Sequence, residues 1–373
     1  MENIEPFFRA SRSSVLNCIQ TVSEITNLKQ TDIFNSFLIT ENKRRVYLVS
    51  SNGEVQIQSS VKHSHSLSLA APFLVHIKNL TNMLKLTLSE TISFVYNKTH
   101  LAIFTESTSF HVKTLSVSKF PLFYGVSEEC IVLIVNQKIL KQLLKVTFFS
   151  IAKHELFSHF NNICVYFRNG RLNCFTLDGR RMSYASATLR IYSNSSVTAV
   201  MTRSSLSEIY KLLEYTNHLS KLYISRNYLR YTASNSEIIC KQVIGSHPNV
   251  KYILKKEYLF YLEVERLLLV TALNRLLVLI TGDLKTVNLS LKAGRLAIRA
   301  TNLTAEKLEE VVPIRNYNKH LHSSEVSINI NYIIELLTNI GFLLVNLLVE
   351  DNSKSIMLVH QNTYRHVLVM SKN

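Results

Sequence analysis

The stretch that decides the fold runs from Asn169 to Met182 and reads N-G-R-L-N-C-F-T-L-D-G-R-R-M. Its opening Asn-Gly pair and its later Asp178-Gly179 pair are typical of tight turns. The residues between them, Leu172 to Thr176, form an alternating run that predicts a β-strand. The stretch therefore reads as a turn, a strand and a second turn.

The same pattern occurs once earlier and once later in the chain. Arg45 precedes the earlier strand and Arg295 the later one, and they lie 126 and 124 positions from the arginine of the quoted stretch (171 − 45 and 295 − 171). The turn residues that follow, Asn52 and Asn302, repeat these two separations from Asp178. Such a period indicates three copies of one structural unit.

Candidate helices repeat with the same period. Apolar residues at helical spacing predict one helix in each copy, at residues 14–22, 137–146 and 258–270. A second helix is predicted in each copy, and these helices open at the N-cap residues Asn79, Ser205 and Asn331. Two helices among many short strands predict an α+β fold. We expect domains at residues 1–124, 125–253 and 254–373, each large enough to bury its own core.

The chain is strongly basic. Its 42 Lys and Arg exceed its 26 Asp and Glu, which gives a formal net charge of +16. This surplus indicates nucleic acid or an anionic membrane as a partner, and a basic surface that only aids solubility is the alternative. Lys138, Lys141 and Lys145 form one stripe of a predicted helix, which either is solvated or faces phosphates. The lack of RNP-type and zinc-finger motifs favours phosphate contacts over base reading.

The termini and the cysteines predict the compartment. The first residues, Met1 to Glu5, carry acids where a secretory signal carries a basic segment, so export is not indicated. The apolar runs are too short to span a bilayer, and we expect a soluble cytoplasmic protein without a membrane partner. The five cysteines are scattered and lack a C-x-x-C pair, which argues against disulfides and a zinc site. We expect them to be small buried residues.

Motifs for catalysis and cofactor binding are missing from the sequence. The eight glycines are too dispersed for a phosphate-cradling loop, so no nucleotide cofactor is expected. The pairs His63-His65 and His320-His322 lack nearby partners and read as polar loops rather than metal sites. A Cys/His hydrolase built from His154 and Cys164 stays as a third alternative. The adjacent pair Glu309-Glu310 would point to opposite faces of a strand. We therefore expect no enzyme, no catalytic residue, no metal and no cofactor.

Several segments resemble the bacterial sliding clamp, the beta subunit of the replicative DNA polymerase, and the resemblance extends over nearly the whole chain. They are F-S-I-A-K-H-E-L-F-S-H-F-N-N (149–162), T-L-D-G-R-R-M (176–182), V-M-T-R-S-S-L-S-E-I (200–209), G-S-H-P-N-V-K-Y-I-L (245–254), R-A-T-N-L-T-A-E-K-L-E-E (299–310) and V-L-V-M-S (367–371). The resemblance implies three tandem clamp domains, each with two helices packed on antiparallel sheets, that form half of a ring.

The resemblance also implies a function. Two chains would join head to tail as a homodimer, encircle duplex DNA and act as a processivity factor for DNA polymerase III. Matched to this sequence, the DNA-proximal residues of the family are Lys29, Lys78, Lys153, His154 and Arg203. Lys29 and Lys78 stand where arginine is usual, which keeps the charge but loses the bidentate fork. A basic module that binds nucleic acid directly, without encircling it, is the alternative.

Two protein contacts are implied in the same way. A cleft between the middle and last domains would receive a short linear peptide, a Gln followed by Leu and Phe, from the polymerase alpha subunit and the clamp loader. Its matching positions are Phe160, Leu177, Gly179, Arg180, Arg181, Met182, Pro248, Tyr252, Ile253, Leu368, Val369 and Met370. Leu177 replaces the family's threonine, and the C-terminal segment is altered, so peptide preference can differ. The dimer contact would use Phe110 and Val112 against Leu279 and Ile280.

Overall fold

The fold is taken from a computed structural model of the chain. It describes residues 6–23, 25, 33–63, 69, 71–123, 129–151, 161–189, 196–244, 258–280, 285–292, 294–301, 306–317, 325–350, 355–360 and 364–369. Some of the predicted site residues lie outside these ranges.

The first repeat comprises β1 (Phe8–Ser11), α1 (Arg12–Ser23), β2 (Ser36–Asn42), β3 (Arg45–Ser51), β4 (Val55–Lys62), β5 (Phe73–His76), α2 (Ile77–Leu86), β6 (Thr91–Asn97), β7 (His100–Phe104) and β8 (Ser109–Leu115). The second comprises β9 (Ile131–Asn136), α3 (Gln137–Phe148), β10 (Asn162–Arg168), β11 (Arg171–Leu177), β12 (Arg181–Thr188), β13 (Val197–Thr202), α4 (Arg203–Leu212), β14 (Leu219–Ile224), β15 (Tyr228–Ala233) and β16 (Ser236–Lys241). The third comprises β17 (Tyr258–Glu265), α5 (Arg266–Leu279), β18 (Thr286–Lys292), β19 (Arg295–Thr301), β20 (Lys307–Tyr317), β21 (Glu325–Asn329), α6 (Ile330–Asn339), β22 (Leu344–Glu350), β23 (Ser355–His360) and β24 (Tyr364–Val369).

Each repeat has the same order of elements within the described residues: one strand, one helix, four strands, a second helix and three strands. The apolar faces of the helices pack on the sheets; in α1 the buried residues are Val15, Cys18, Ile19 and Val22. This order confirms the prediction of three tandem α+β domains with two helices each. The domain boundaries predicted from the sequence stay a prediction.

The chain forms two compact units that do not coincide with the repeats. The first unit comprises Met1–Lys138 and Ser204–Gln242, and the second comprises Ile139–Arg203 and Val243–Asn373. The described strands of the first unit form a 12-stranded sheet in the order β1-β6-β7-β8-β5-β2-β3-β4-β16-β15-β14-β9. Those of the second form another in the order β13-β10-β11-β12-β24-β23-β22-β17-β20-β19-β18-β21.

The repeats are joined edge to edge by antiparallel pairing. The fourth strand of the first repeat, β4, pairs with the eighth strand of the second, β16. The fourth strand of the second repeat, β12, pairs in the same way with the eighth strand of the third, β24. We call the β4–β16 pairing the first junction and the β12–β24 pairing the second junction. One rule of assembly therefore operates twice in the chain.

The turn before the fourth strand has one design in the first two repeats. The side chain of Asn52 accepts hydrogen bonds from the N–H groups of Glu54 and Val55, at 2.9 and 2.8 Å. Asp178 does the same for Arg180 and Arg181 at 3.0 and 2.8 Å. Gly53 and Gly179 follow with φ of 87° and 86°, a conformation that favours glycine because it lacks a Cβ.

Two helix predictions are corrected by the structure. Residues 258–265 form strand β17 rather than the start of a helix, and α5 begins only at Arg266. The aromatic residues of this segment pair with β22 on one side, so tertiary pairing overrides the apolar spacing. The second helices begin one or two residues before the predicted caps, and Asn329, not Asn331, caps α6 by accepting from the Asn331 N–H.

Candidate functional site

The predicted peptide cleft centres on the turn between β11 and β12, where Arg181 is buried. Its Nε donates to Asp178 Oδ2 at 2.7 Å, and its Nη1 donates to Glu335 Oε2 at 2.6 Å. Its Nη2 donates to the carbonyl oxygen of Phe149 at 3.2 Å. The guanidinium carbon also lies 4.6 Å from the centre of the Tyr332 ring, within the range of a cation–π contact.

The charge of Arg181 is compensated inside the protein. Burial disfavours the charged guanidinium and taken alone lowers its pKa, but the hydrogen bond that Arg181 donates to Glu335, the negative charge of Asp178 and the hydrogen bond donated to Asp178 raise the pKa above its ordinary value. Arg181 therefore fastens the turn of the middle repeat to helix α6 of the last repeat. Its place in the peptide cleft stays a prediction.

An apolar cluster lies beside this turn. We call the buried residues Cys164, Phe175, Met182, Val200 and Met357 the Met182 cluster. Leu177, Tyr184 and Val243 are partly buried against it. Strands of the middle repeat and β23 of the last repeat contribute to it, so the predicted residues Leu177 and Met182 do lie together. Partly buried apolar side chains of this kind can accept the anchors of a short peptide.

The other predicted cleft residues divide into two groups. Gly179 and Arg180 are exposed at the tip of the turn, and Arg181 stands opposite Leu368 in the β12–β24 pairing, followed by Val369 at the end of β24. Five lie outside the described residues: Phe160, Pro248, Tyr252, Ile253 and Met370.

The predicted DNA contacts are partly in view. Lys78 is exposed in the first turn of α2. Arg203 begins α4, where its Nη1 donates to the carbonyl oxygen of Ile151 at 2.9 Å and its guanidinium lies 4.9 Å from the centre of the Phe148 ring. Lys138 and Lys145 are exposed on α3, and Lys141 is half-buried. Lys29, Lys153 and His154 lie outside the described residues.

A strand edge stands at the first position predicted for the dimer contact, on β8, and a second open edge lies on β20, whereas the predicted Leu279 and Ile280 stand at the end of helix α5 rather than on a strand. Strand β8 pairs with β7 along Ser109–Lys113 and with β5 only at Thr114 and Leu115. Strand β20 pairs with β19 along Lys307–Pro313 and with β17 only from Ile314 to Tyr317. Within the described residues, neither Ser109–Lys113 of β8 nor Lys307–Pro313 of β20 pairs with a second strand on its other side. These two segments have the edge geometry that a second chain requires.

The side chains predicted for this contact differ in exposure. Phe110 is half-buried, and Val112 is buried within the first repeat. Ile280 is buried in the core of the last repeat, and Leu279 is the final residue of α5. On β20, Leu308 and Val311 are exposed apolar residues, at 36% and 49%. Sequence reasoning missed these two, because the segment reads L-E-E-V-V and lacks the alternation of apolar and polar residues that marks a strand.

The structure bears on the predicted histidine pairs and on the hydrolase alternative built on Cys164. His63 lies just after β4 and outside the regular elements; it is buried, and its Nε2 lies 3.1 Å from Glu41 Oε1, a partner that the sequence did not indicate. Its predicted neighbour His65 and the pair His320-His322 lie outside the described residues. Burial raises the pKa of the Cys164 thiol to about 12, which makes it a poor nucleophile for the hydrolase alternative. The described residues contain no group of three His, Cys, Asp or Glu placed to hold a metal.

Two residues of the site were not singled out from the sequence. Glu335 and Tyr332 lie on α6 and hold the guanidinium of Arg181. The available signal was a single carboxylate in the otherwise uncharged helix I-N-Y-I-I-E-L-L-T-N.

The described part of the chain has no helix both long and apolar enough to cross a bilayer.

Comparisons with known proteins agree with this architecture. Three family models match the chain: the N-terminal domain of the DNA polymerase III beta subunit at residues 7–124, its central domain at 134–249 and its C-terminal domain at 251–372. The beta sliding clamp of Haemophilus influenzae is 25% identical over 334 residues, which cover 88% of this chain and 89% of that protein. That of Pseudomonas putida is 22% identical over 360 residues, with 94% and 95% covered.

Solved structures show the same fold. The DNA polymerase III subunit beta from Pseudomonas aeruginosa matches with a TM-score of 0.92 at 20% identity, covering 98% of this chain and all of that one. The DNA polymerase sliding clamp from Bacillus subtilis matches with a TM-score of 0.89 at 16% identity, with 98% and 99% covered. The three family models together span nearly the whole sequence, and the chain therefore belongs to the DNA polymerase III beta subunit family.

Proposed function

We infer that the chain works as a DNA sliding clamp, a closed dimeric ring that encircles duplex DNA and tethers replication proteins to it. The observation that carries this inference is the repeated junction. The fourth strand of one repeat pairs with the eighth strand of the next, at β4–β16 and again at β12–β24. One fourth strand, β20, and one eighth strand, β8, are left over. Pairing of β20 with the partner's β8, and the reverse, closes a symmetric head-to-tail dimer of six repeats.

The helices supply the surface toward DNA in this proposal. Lys78 on α2 and Lys138 and Lys145 on α3 are exposed cations, and the net charge of +16 favours a polyanion. Because a closed ring holds DNA by topology, its contacts need to attract phosphates without reading bases. Lys29, Lys153, His154 and Arg203 are proposed as further phosphate contacts by their match to the family.

The second junction is the proposed docking site for partners. The Met182 cluster with the partly buried Leu177 offers apolar contacts, and Arg180 lies exposed at the rim. A peptide that carries Gln followed by Leu and Phe would bury its apolar side chains here. A clamp from Pseudomonas aeruginosa has been crystallised bound to griselimycin, which shows that a related protein accepts a ligand. We propose the polymerase alpha subunit and the clamp-loader subunits as the peptide donors.

The proposed role is non-catalytic and requires no cofactor, because tethering depends on ring closure and peptide contacts alone. We place it in the cytoplasm, where a bacterial chromosome is replicated. In support, burial of Cys164 removes the basis of the competing hydrolase hypothesis.

Circular DNA provides the decisive experiment. The clamp is loaded onto a nicked circular duplex, isolated by gel filtration and divided, and one half is treated with an enzyme that cuts the circle once. We expect the protein to stay with the circle and to leave the linear product by sliding off its ends. Equal retention on both forms would contradict encirclement and favour a direct binder. As the matched control, the protein that stays on the uncut circle is measured again at about 0.5 M salt, because salt at this concentration releases proteins held only by phosphate contacts.

A further inference from the structure

The two junctions are built on one plan, and within the described residues a segment of the chain packs beside the first. Leu38, Val49 and Leu74 of the first repeat are buried in one apolar cluster next to β4, which we call the pocket of the first junction. The residues 126 positions further along (164 − 38, 175 − 49 and 200 − 74) are Cys164, Phe175 and Val200, which belong to the Met182 cluster of the second junction. Three residues of the first pocket therefore have counterparts in the Met182 cluster.

Phe120 occupies the pocket of the first junction. It is 6% exposed and packs with Leu38, Val49 and Leu74. The Phe120 N–H donates to the carbonyl oxygen of Val117, and the Leu122 N–H donates to that of Phe120, both at 2.9 Å. These bonds fold residues 117–123 over the pocket, and we call these residues the plug segment.

Side chains of the first junction bind the backbone of the plug segment. Ser51 Oγ donates to the carbonyl oxygen of Pro121 at 2.8 Å, and the Phe123 N–H donates to Gln56 Oε1 at 3.0 Å. The Phe123 ring lies 5.0 Å from Lys241 Nζ and 5.7 Å from the Tyr228 ring. A buried aromatic anchor combined with backbone hydrogen bonds is how a short peptide is held in a groove.

The second junction lacks these features in its sequence. The positions that match Ser51 and Gln56 are the apolar Leu177 and Met182 (51 + 126 and 56 + 126). The positions that match the two aromatic residues, Phe120 and Phe123, are Ser246 and Asn249, which lie outside the described residues. The sequence thus has an aromatic anchor, Phe120, and the polar residues that bind its segment at the first junction. None of these residue types is kept at the matching positions of the second junction.

We propose that the plug segment is a built-in peptide ligand that closes the first junction, so that each chain offers external peptides only the second junction. This inference rests on the proposed peptide cleft. It explains why a chain with two equivalent junctions presents one docking site. The tethered segment has a high effective concentration, about millimolar for a short connection, and therefore excludes peptides that arrive from solution.

We test the proposal by replacing the plug residues and adding the same peptide from outside. Two proteins are compared, and both carry Leu177→Ser to weaken the second junction. The parent keeps Phe120 and Phe123, and the variant carries Phe120→Ser and Phe123→Asn, the residues at the matching positions. The probe is a fluorescein-labelled synthetic peptide of residues 116–123. We expect saturable binding of one peptide per chain to the variant and at least about tenfold weaker binding to the parent. Equal binding by the two folded proteins would overturn the proposal.

A second variant protects the experiment against misfolding. Phe123 is half-buried, so Phe123→Asn alone keeps Phe120 in the pocket and preserves the core. We expect trypsin to cleave after the exposed Lys119 about tenfold faster in this variant than in the parent, because the segment opens more often. An unchanged rate would count against the proposal. Binding of a Gln-Leu-Phe peptide to the unmodified protein reports separately on the second junction, so the two hypotheses can fail independently.

Discussion

Nη1 of Arg181 and Oε2 of Glu335 lie 2.6 Å apart and join the middle repeat to the last helix of the chain. The Asp178 carboxylate completes the arrangement at 2.7 Å from Arg181 Nε. The arginine side chain is 8% exposed and that of Glu335 is 36% exposed, so one partner of the pair is largely removed from water. The position of the second junction therefore depends on a compensated internal charge.

The Arg181 network predicts a large loss of stability when its cation is removed. Arg181→Ala leaves the carboxylate of Asp178 without its cation in a buried place, and we expect the free energy of unfolding to fall by roughly 3 kcal/mol. Urea denaturation followed by circular dichroism measures this change. Arg180→Ala, at the exposed neighbouring position, is the matched control and should shift stability by less than about 0.5 kcal/mol. Equal effects of the two substitutions would show that the network contributes no stability.

The open edge of strand β20 provides a test of the proposed dimer contact. Val311 is 49% exposed on its open edge, and Val311→Asp places a charge where a second chain would pack. We expect the dimer dissociation constant to rise roughly 100-fold by sedimentation equilibrium. Val132→Asp is the control, because Val132 is 42% exposed on β9, a first strand, and first strands take no part in either junction between repeats. A dimer that tolerates Val311→Asp but not Val132→Asp would show that the interface lies at β9 rather than at β20.

Leu177 predicts the strength of peptide docking. Leu177→Ser introduces the residue of the matching position in the first repeat and removes an apolar contact beside Met182. We expect at least about tenfold weaker binding of a Gln-Leu-Phe peptide in fluorescence polarisation. Leu115→Ser removes a comparable partly buried leucine at the first junction and should leave the affinity unchanged. Unchanged affinity in the Leu177 variant would move the docking site elsewhere.

The cysteines predict a pattern of thiol reactivity. Burial raises the pKa of Cys18 to about 11 and that of Cys164 to about 12, and it raises the pKa of Cys174 and Cys240 further. A raised pKa keeps the thiol protonated at pH 8, and only the thiolate reacts quickly. Native protein should therefore release one rapid equivalent with DTNB, from the half-buried Cys130.

Replacement of Cys130 by Ser checks this assignment. The rapid phase should disappear in that variant, while unfolding in guanidinium should expose the other four thiols in both proteins. Rapid reaction of even one thiol in the native variant would mean that a buried cysteine is accessible. It would also remove the argument against Cys164 as a nucleophile.

The repeated architecture was predictable because its signals are local. The arginine at the start of each third strand and the Asn or Asp after it recur in the sequence of all three repeats, and in the first two repeats the turn depends on hydrogen bonds within a few residues, such as those of Asp178. Helix α3 was found in the same way, from apolar spacing that matches one buried face. Threefold repetition then strengthened each weak signal.

Long-range partners limited the rest of the prediction. Residues 258–265 have an apolar spacing that suits a helix, and only the pairing with β22 and β20 makes them a strand. The partner of His63 was missed because Glu41 lies 22 positions away. Arg181 was predicted at the cleft, but its contact with Glu335 was missed because that partner is 154 positions away. Sequence spacing carries no signal for such contacts.

The β4–β16 pairing also governs how the protein can be divided. A fragment that ends near residue 124 would keep β4 but lose the strand that covers its edge, and with it the hydrogen bonds from Ser236 to Cys240. An uncovered strand edge recruits other chains, so such a fragment should aggregate or swap strands. A deletion series that respects the limits of the repeats would thus be less soluble than the whole chain, since the middle repeat contributes strands to both compact units.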